Sequence, residues 1–210
     1  MDYVKIKIND IKLDMIKFKK TYDDGQNVKY SILYNGNPFY IIPSSPFENY
    51  GIKTFSNTNK ITIILDHNDH KLYIDLINHL YNKMENHVKV KKLNINIIHP
   101  ISIISNNSTL DISINNFKNK LTNCFEYSDN GLKLINIESL HNKQYTIVPL
   151  LYIYQLNNVQ DKLYFNFLVH ECYIKYNEPS LPFSEISRIF NGNINIVKDN
   201  INDNENDELF

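Results

Sequence analysis

Asp66, His67, Asp69 and His70 stand within the five-residue stretch DHNDH and offer nitrogen and carboxylate donors of the kind that bind zinc. A structural zinc site needs four such donors in a tetrahedral array, usually gathered from two clusters. No second cluster accompanies this one. The same residues also suit a polar strand-to-helix turn in which Asn68 or Asp69 caps the helix that follows, and that is the expectation carried forward. His170-Glu171-Cys172 sets a base, an acid and a thiol in a row. On a strand, however, successive side chains alternate between faces, so the three do not converge, and a nucleophile needs its base within hydrogen-bond reach. Phosphate-cradling loops need closely spaced glycines. The glycines at 25, 36, 51, 131 and 192 are all more than ten residues apart, and neither GxSxG nor HExxH occurs. The expectation is a non-enzyme without metal or cofactor.

The chemistry the sequence does offer is aromatic rings interleaved with lysines. MIKFKKTYDDGQNVKYSILYNGNPFYIIP places Lys17, Lys19, Lys20 and Lys29 among Tyr34, Phe39 and Tyr40, with Lys53 shortly after. Farther along, Tyr152 and Tyr154 are two apart, on one side of a regular strand, and Lys162 and Tyr164 open the next run. Exposed rings stack on bases at about 1–3 kcal/mol each while lysines follow the phosphates, so this pairing suits single-stranded nucleic acid. Each ring is equally able to fill a core in a β-rich chain that has no Trp.

The elements that must position these residues are short runs rich in Ile, Tyr, Phe and Val. Strands are expected near Val4–Ile8, Leu13–Phe18, Val28–Tyr34, Phe39–Ile42, Ile61–Leu65, Leu93–Ile98, Leu110–Ile114, Tyr145–Tyr154 and Leu163–Tyr173. Gly25 and Gly36 mark turns, and the Asn-Gly pair in YNGNP predicts a tight hairpin. Leu72, Leu76, Ile77, Leu80, Tyr81 and Met84 fall at helical spacing and predict one amphipathic helix of about four turns. Ser105 to Thr109 reads as a mobile loop. Many strands plus one long helix suggest an antiparallel barrel, closed or partly open, that carries the helix.

Charge is divided along the chain. Taking Asp199, Asp203, Glu205, Asp207 and Glu208 out of the 23 acids leaves 18 against 22 bases, so the body stands at +4 and the last twelve residues carry acids alone. Such a stretch cannot bury enough apolar surface to offset its ordering entropy, so residues 199–210 are expected to be a disordered acidic tail ending in Phe. Residues 179–198 are expected to be a short helical or linker segment, with LPFSEISRIF packed on the body or on a second subunit as a homodimer contact. Cys124 and Cys172 stand apart without a CxxC, which points to a reducing, intracellular compartment. The longest apolar run, YTIVPLLYIY, is far short of the roughly 20 residues of a membrane helix. All bases but Arg188 are Lys, and with abundant Asn and Ile this reads as the codon usage of an AT-rich genome.

The stretch YNGNPFYIIPSSPFENYGIKTF, Tyr34 to Phe55, resembles the pattern of the single-stranded-DNA-binding proteins of large nucleocytoplasmic DNA viruses. The matching residues are Gly36, Pro38, Pro43, Pro46 and Tyr50-Gly51-Ile52, followed by a strand, a long helix and two closing strands. LYIYQ stands where that family has a different aromatic-rich stretch, and NNVQDKLY lacks the glycine of its closing hairpin. The resemblance implies an OB-like β-barrel over residues 1–178, related to phage replication proteins that end in an acidic tail closed by Phe. It further implies binding of single-stranded DNA without sequence readout in viral replication, recombination and repair, in the host nucleus or at a cytoplasmic replication site. By the same resemblance Asp203, Glu205, Asp207, Glu208, Leu209 and Phe210 would compete with DNA and recruit a polymerase, helicase or primase. A virion or scaffold protein that uses the same barrel to bind protein is the alternative.

Overall fold

The computed structural model describes residues 3–23, 28–55, 58–93, 95–114, 122–128, 131–141, 143, 145–176 and 196–197. The expected tail and the LPFSEISRIF segment lie outside them. In chain order the first strands are β1 (Val4–Lys7), β2 (Ile16–Asp23), β3 (Val28–Tyr34), β4 (Phe39–Ile42), β5 (Asn49–Phe55) and β6 (Thr58–Leu65). One helix follows, α1 (Lys71–Val90), then β7 (Asn96–Ile97), β8 (Ile101–Ile104), β9 (Asn107–Ile114), β10 (Asn123–Ser128) and β11 (Gly131–Ile135). The last are β12 (Tyr145–Val159), β13 (Lys162–Tyr176) and β14 (Ile196–Val197).

The spine is the antiparallel β12–β13 hairpin, 15 residues in each strand. At roughly 3.3 Å per residue it runs about 50 Å. One edge of β12 carries β3 and β4, which in turn carry β2 and β1. The free edge of β13 carries β7, β9 and β10 in succession. From β9 the sheet continues to β6 and then β5. Phe47, just before β5, returns to β12 through a single isolated bridge, exchanging N–H···O bonds with Ile147 at 2.8 and 2.9 Å. The molecule is therefore mainly β with one helix, as expected, but among the described residues no ladder closes the sheet, and the expected barrel is not established by the pairing.

Alternation decides which side of the spine is core. Leu151, Ile153 and Leu156 of β12 and Leu163, Phe165, Phe167 and Val169 of β13 are buried in the main apolar cluster. α1 packs against that cluster through Tyr73, Leu76, Ile77, Leu80, Met84 and Val88. Each such side chain, fully buried, stabilises by about 1.5–3 kcal/mol. Leu72, expected inward, is 46% exposed, and Tyr73 takes its place. The helix begins at Lys71, directly after the buried His70, and Leu76, Ile77, Leu80 and Met84 keep their expected inward places.

That entry turn settles the DHNDH stretch. Asp66, not Asn68 or Asp69, makes the turn: its Oδ1 accepts from the N–H groups of Asn68 (2.7 Å) and Asp69 (3.0 Å). The His70 ring accepts the Asp66 N–H at Nδ1 (3.0 Å). Its Nε2 therefore carries the proton and donates to the Pro46 carbonyl, also at 3.0 Å. Both nitrogens are occupied by backbone, and the ring stacks on Phe47 at 4.2 Å. Among the described residues no group of three or more His, Cys, Asp or Glu is placed to hold a metal. No described helix is long and apolar enough to cross a membrane.

Several local expectations are corrected. Leu13–Met15 is a 3-10 turn leading into β2, and of the described residues of Leu93–Ile98 only Asn96–Ile97 is strand. Ser105 and Asn106, both at positive φ (49° and 67°), are the tight turn of the β8–β9 hairpin, and Ser108 and Thr109 are buried rather than mobile. Asn35-Gly36 does form a turn, with Tyr34 and Asn37 exchanging bonds of 2.8 and 3.0 Å. It does not reverse the chain, however. β3 and β4 both run antiparallel to β12, so the turn is an excursion looped out of one long strand.

Candidate nucleic-acid interface

The face of the spine opposite the core is built row by row. In one row Tyr22 of β2 lies opposite Lys29 of β3, Lys29 opposite Asn157 of β12, and Asn157 opposite Tyr164 of β13. The next row is Lys19, Ser31, Gln155 and Asn166. Nearer the middle of the spine a third row reads Lys5 of β1, Tyr40 of β4, Tyr152 of β12 and Leu168 of β13. Because period-2 alternation fixes the face, Lys17 joins the same side as Lys19, and Lys7 lies beside Ile42 on the same side as Lys5. Lys162 does so at the tip of the spine hairpin. All of these lysines except the half-buried Lys7 are exposed.

Rings meet in the third row. Tyr40 is contacted by Tyr3 (centroids 5.0 Å), Tyr152 (5.3 Å) and His170 (4.8 Å, interplanar 29°). Tyr3 also meets Tyr152 edge-on at 5.7 Å. Tyr40 is nearly covered, whereas Tyr3 is 49% and Tyr164 38% exposed. Burial, helped by Tyr3, pushes the Tyr40 hydroxyl up to about 12, so it remains a neutral donor at working pH. In the first row the Lys29 ammonium lies 5.4 Å from the Tyr22 centroid, a cation–π contact that holds charge and ring together.

Of the expected binding residues, Lys17, Lys19, Lys29, Tyr40, Tyr152, Lys162 and Tyr164 share this face. The others do not. Phe39 is wholly buried, and Tyr34 packs on the core 5.7 Å from the Phe39 ring; both fall on the inward set of their strands. Lys20 stands opposite the core residue Tyr30 and is ion-paired with Asp23, which raises its pKa chiefly through that hydrogen bond. Lys53 is on β5, which is joined to β13 by way of β6 and β9. The Tyr154 side chain lies outside the described residues.

Tyr3, Lys5, Lys7 and His170 are members that sequence reasoning missed. The run VKIK carries the signal for the two lysines, since its Val and Ile alternate with them. His170 has no such signal, because it is the extra residue at the register shift between Leu150 and Leu151.

No family model matches the chain, and no curated protein matches it. Membership of the viral family suggested by the Tyr34–Phe55 motif is thus not established. Among solved structures the chain is similar to the single-stranded DNA-binding protein from bacteriophage Enc34, C-terminal truncation. That likeness has a TM-score of 0.40 at 8% identity and covers 79% of this chain and 98% of that one.

Proposed function

We propose that this protein binds single-stranded DNA across the outer face of the β12–β13 spine, without sequence readout. The observation that carries the reading is the sharing of one sheet face by rings and lysines in adjoining cross-strand rows. Bases would stack at Tyr3, Tyr152 and His170 around the Tyr40 ring, and at Tyr22 and Tyr164, each worth about 1–3 kcal/mol. Phosphates would run past Lys5, Lys17, Lys19, Lys29 and Lys162. Rings accept any base, and ammonium groups read only phosphate, so the face suits sequence-tolerant binding. In this reading the Phe47–Ile147 bridge is the seam of an OB-like barrel of β12, β5, β6, β9 and β13. The physiological setting is replication and recombination of viral DNA, as the Tyr34–Phe55 resemblance implies. The acidic residues 199–210 act as an internal competitor for the basic face and as a contact for a polymerase, helicase or primase.

The deciding experiment is a gel shift with oligo-dT and with duplex of equal length, at two salt concentrations. The expected result is preferential binding of the single strand, weakening as salt rises. Replacing Lys17, Lys19 and Lys29 together by Ala should flatten the log-affinity against log-salt slope by about 0.7 for each phosphate contact removed. Equal affinity for duplex and single strand would sink the reading.

A further inference from the structure

Where β13 leaves β9 and takes up β10, the parallel ladder places Cys124 directly opposite Cys172. Both are free thiols, 1% and 0% exposed, and their sulfurs are 3.0 Å apart. Adjacent strands lie about 4.7–4.9 Å apart, inside the roughly 4.4–6.8 Å range of Cα separation that a disulfide bridges. The two sulfurs point at one another and have about 1 Å to close to reach the S–S bond length of roughly 2.05 Å. Among the described residues, β10, β11 and β14 attach to the rest of the sheet through this one ladder, Asn123–Glu126 on Glu171–Ile174. A bond from Thr122 Oγ1 to the Val169 carbonyl at 2.8 Å pins its start.

We propose that Cys124 and Cys172 are a modification site, a thiol pair that hydrogen peroxide converts to a disulfide stapling β10 to β13. One sulfur attacks a peroxide oxygen, the O–O bond breaks, and the thiol proton leaves with the departing hydroxide as water. The sulfenic acid so formed is attacked by the second sulfur. The S–S bond forms, and the sulfenic oxygen leaves as water with the second thiol's proton. The two sulfurs together lose two electrons, and the peroxide is reduced to two waters. The Cys124 contact and burial hold the Cys172 thiol well above its ordinary pKa. Thiolate is scarce in the closed fold, so the reaction is slow and needs peroxide in excess. Once formed, the bond is shielded from bulky reductants by the same burial.

The test uses the full chain. Native protein is treated with hydrogen peroxide, denatured, alkylated with N-ethylmaleimide and weighed intact, with a peptide map alongside. The expected product lacks two hydrogens, takes up no maleimide, and yields a cross-linked peptide pair containing residues 124 and 172. Reduction before alkylation restores two adducts, and the urea midpoint of the oxidised form lies above that of the reduced form. Cys172→Ala should abolish the two-hydrogen loss in the monomer, and the wild-type mass stands without that variant if it fails to fold. Two alkylatable thiols after treatment, or sulfinic acid at either residue without a cross-link, overturns the proposal, and an unmoved or lowered urea midpoint overturns the staple.

Discussion

His170 is the extra residue of a β-bulge, and the bulge sits where β13 exchanges one neighbour for another. Leu150 pairs with Glu171 and Leu151 with Val169, so His170 has no partner in β12, and its ring stacks on Tyr40 instead. Bulges commonly re-aim a side chain next to a functional site. Here the re-aimed ring extends the Tyr3–Tyr40–Tyr152 cluster toward β10. His170→Ala should weaken oligo-dT binding by about 1–3 kcal/mol, the usual worth of one stacked base, while leaving thermal unfolding nearly unchanged because the residue is exposed. His170→Phe should retain most of the affinity. Fluorescence anisotropy with labelled oligo-dT reads both, and an Ala variant that binds like wild type removes His170 from the face. Lys17 and Lys19 were legible because they alternate with Ile16 and Phe18, whereas Lys5 and Lys7 were missed although they alternate with Val4 and Ile6 in the same way. His170 was not legible, because a one-residue slip between strands leaves no periodic trace.

At the level of elements, local pattern foretold what local forces decide. β3 and β4 match their expected bounds, and α1 follows from its 3.6-residue spacing. β5, β10 and β11 went unseen because NYGIKTF, NCFEYS and GLKLI alternate weakly and are held by neighbours distant in sequence. The direction of β4 after the Asn-Gly turn was equally hidden, since the long edge of β12 decides it. Two predictions belong here. The β12–β13 turn places Gln160 and Asp161 at φ of 50° and 58°, which Gln tolerates poorly. Replacing the pair by Asn-Gly, the preferred residues for such a turn, should raise stability by about 0.4–1 kcal/mol in urea unfolding. An unchanged or lower midpoint would contradict the strain. The second concerns the His70 latch between α1 and the Pro46–Phe47 segment. Burial, the largest cause, holds the His70 pKa below its ordinary value despite the Pro46 bond and the nearby Asp69 and Asp66. The unfolded chain thus takes up the proton first. The latch is intact above about pH 6.5, the ordinary histidine value, and its stability is lost as pH falls below that value toward the lower folded pKa. His79, also lowered by burial, contributes with the same sign. Urea midpoints measured from neutral pH downward should fall less steeply for His70→Ala than for wild type. Parallel curves would mean that the ring is not held neutral.

For the whole molecule, a mainly β architecture with one helix was evident from strand-like runs and a single helical stripe. The expected closure into a barrel is not established, because the pairing at that place is a single isolated bridge, Phe47 with Ile147, between residues a hundred apart. Charge is the property best read at this scale. The body carries 22 bases against 18 acids, and the remaining acids of the 23 all lie within residues 199–210. The structure gathers Lys5, Lys17, Lys19, Lys29 and Lys162 on one face, so the modest net excess is locally concentrated. Two oppositely charged parts of one chain meet at high effective concentration, and their attraction is screened beyond about 10 Å at 0.1 M salt. In the proposed function the acidic segment competes with phosphate for the same lysines. Deleting residues 200–210 should therefore tighten oligo-dT binding, with the largest gain at low salt and little difference at high salt. Anisotropy titrations of the full and shortened chains at both salt concentrations measure the effect. Equal or weaker binding by the shortened chain at low salt would deny the acidic segment a competing role, yet leave the rings and lysines of the spine to be judged by their own substitutions.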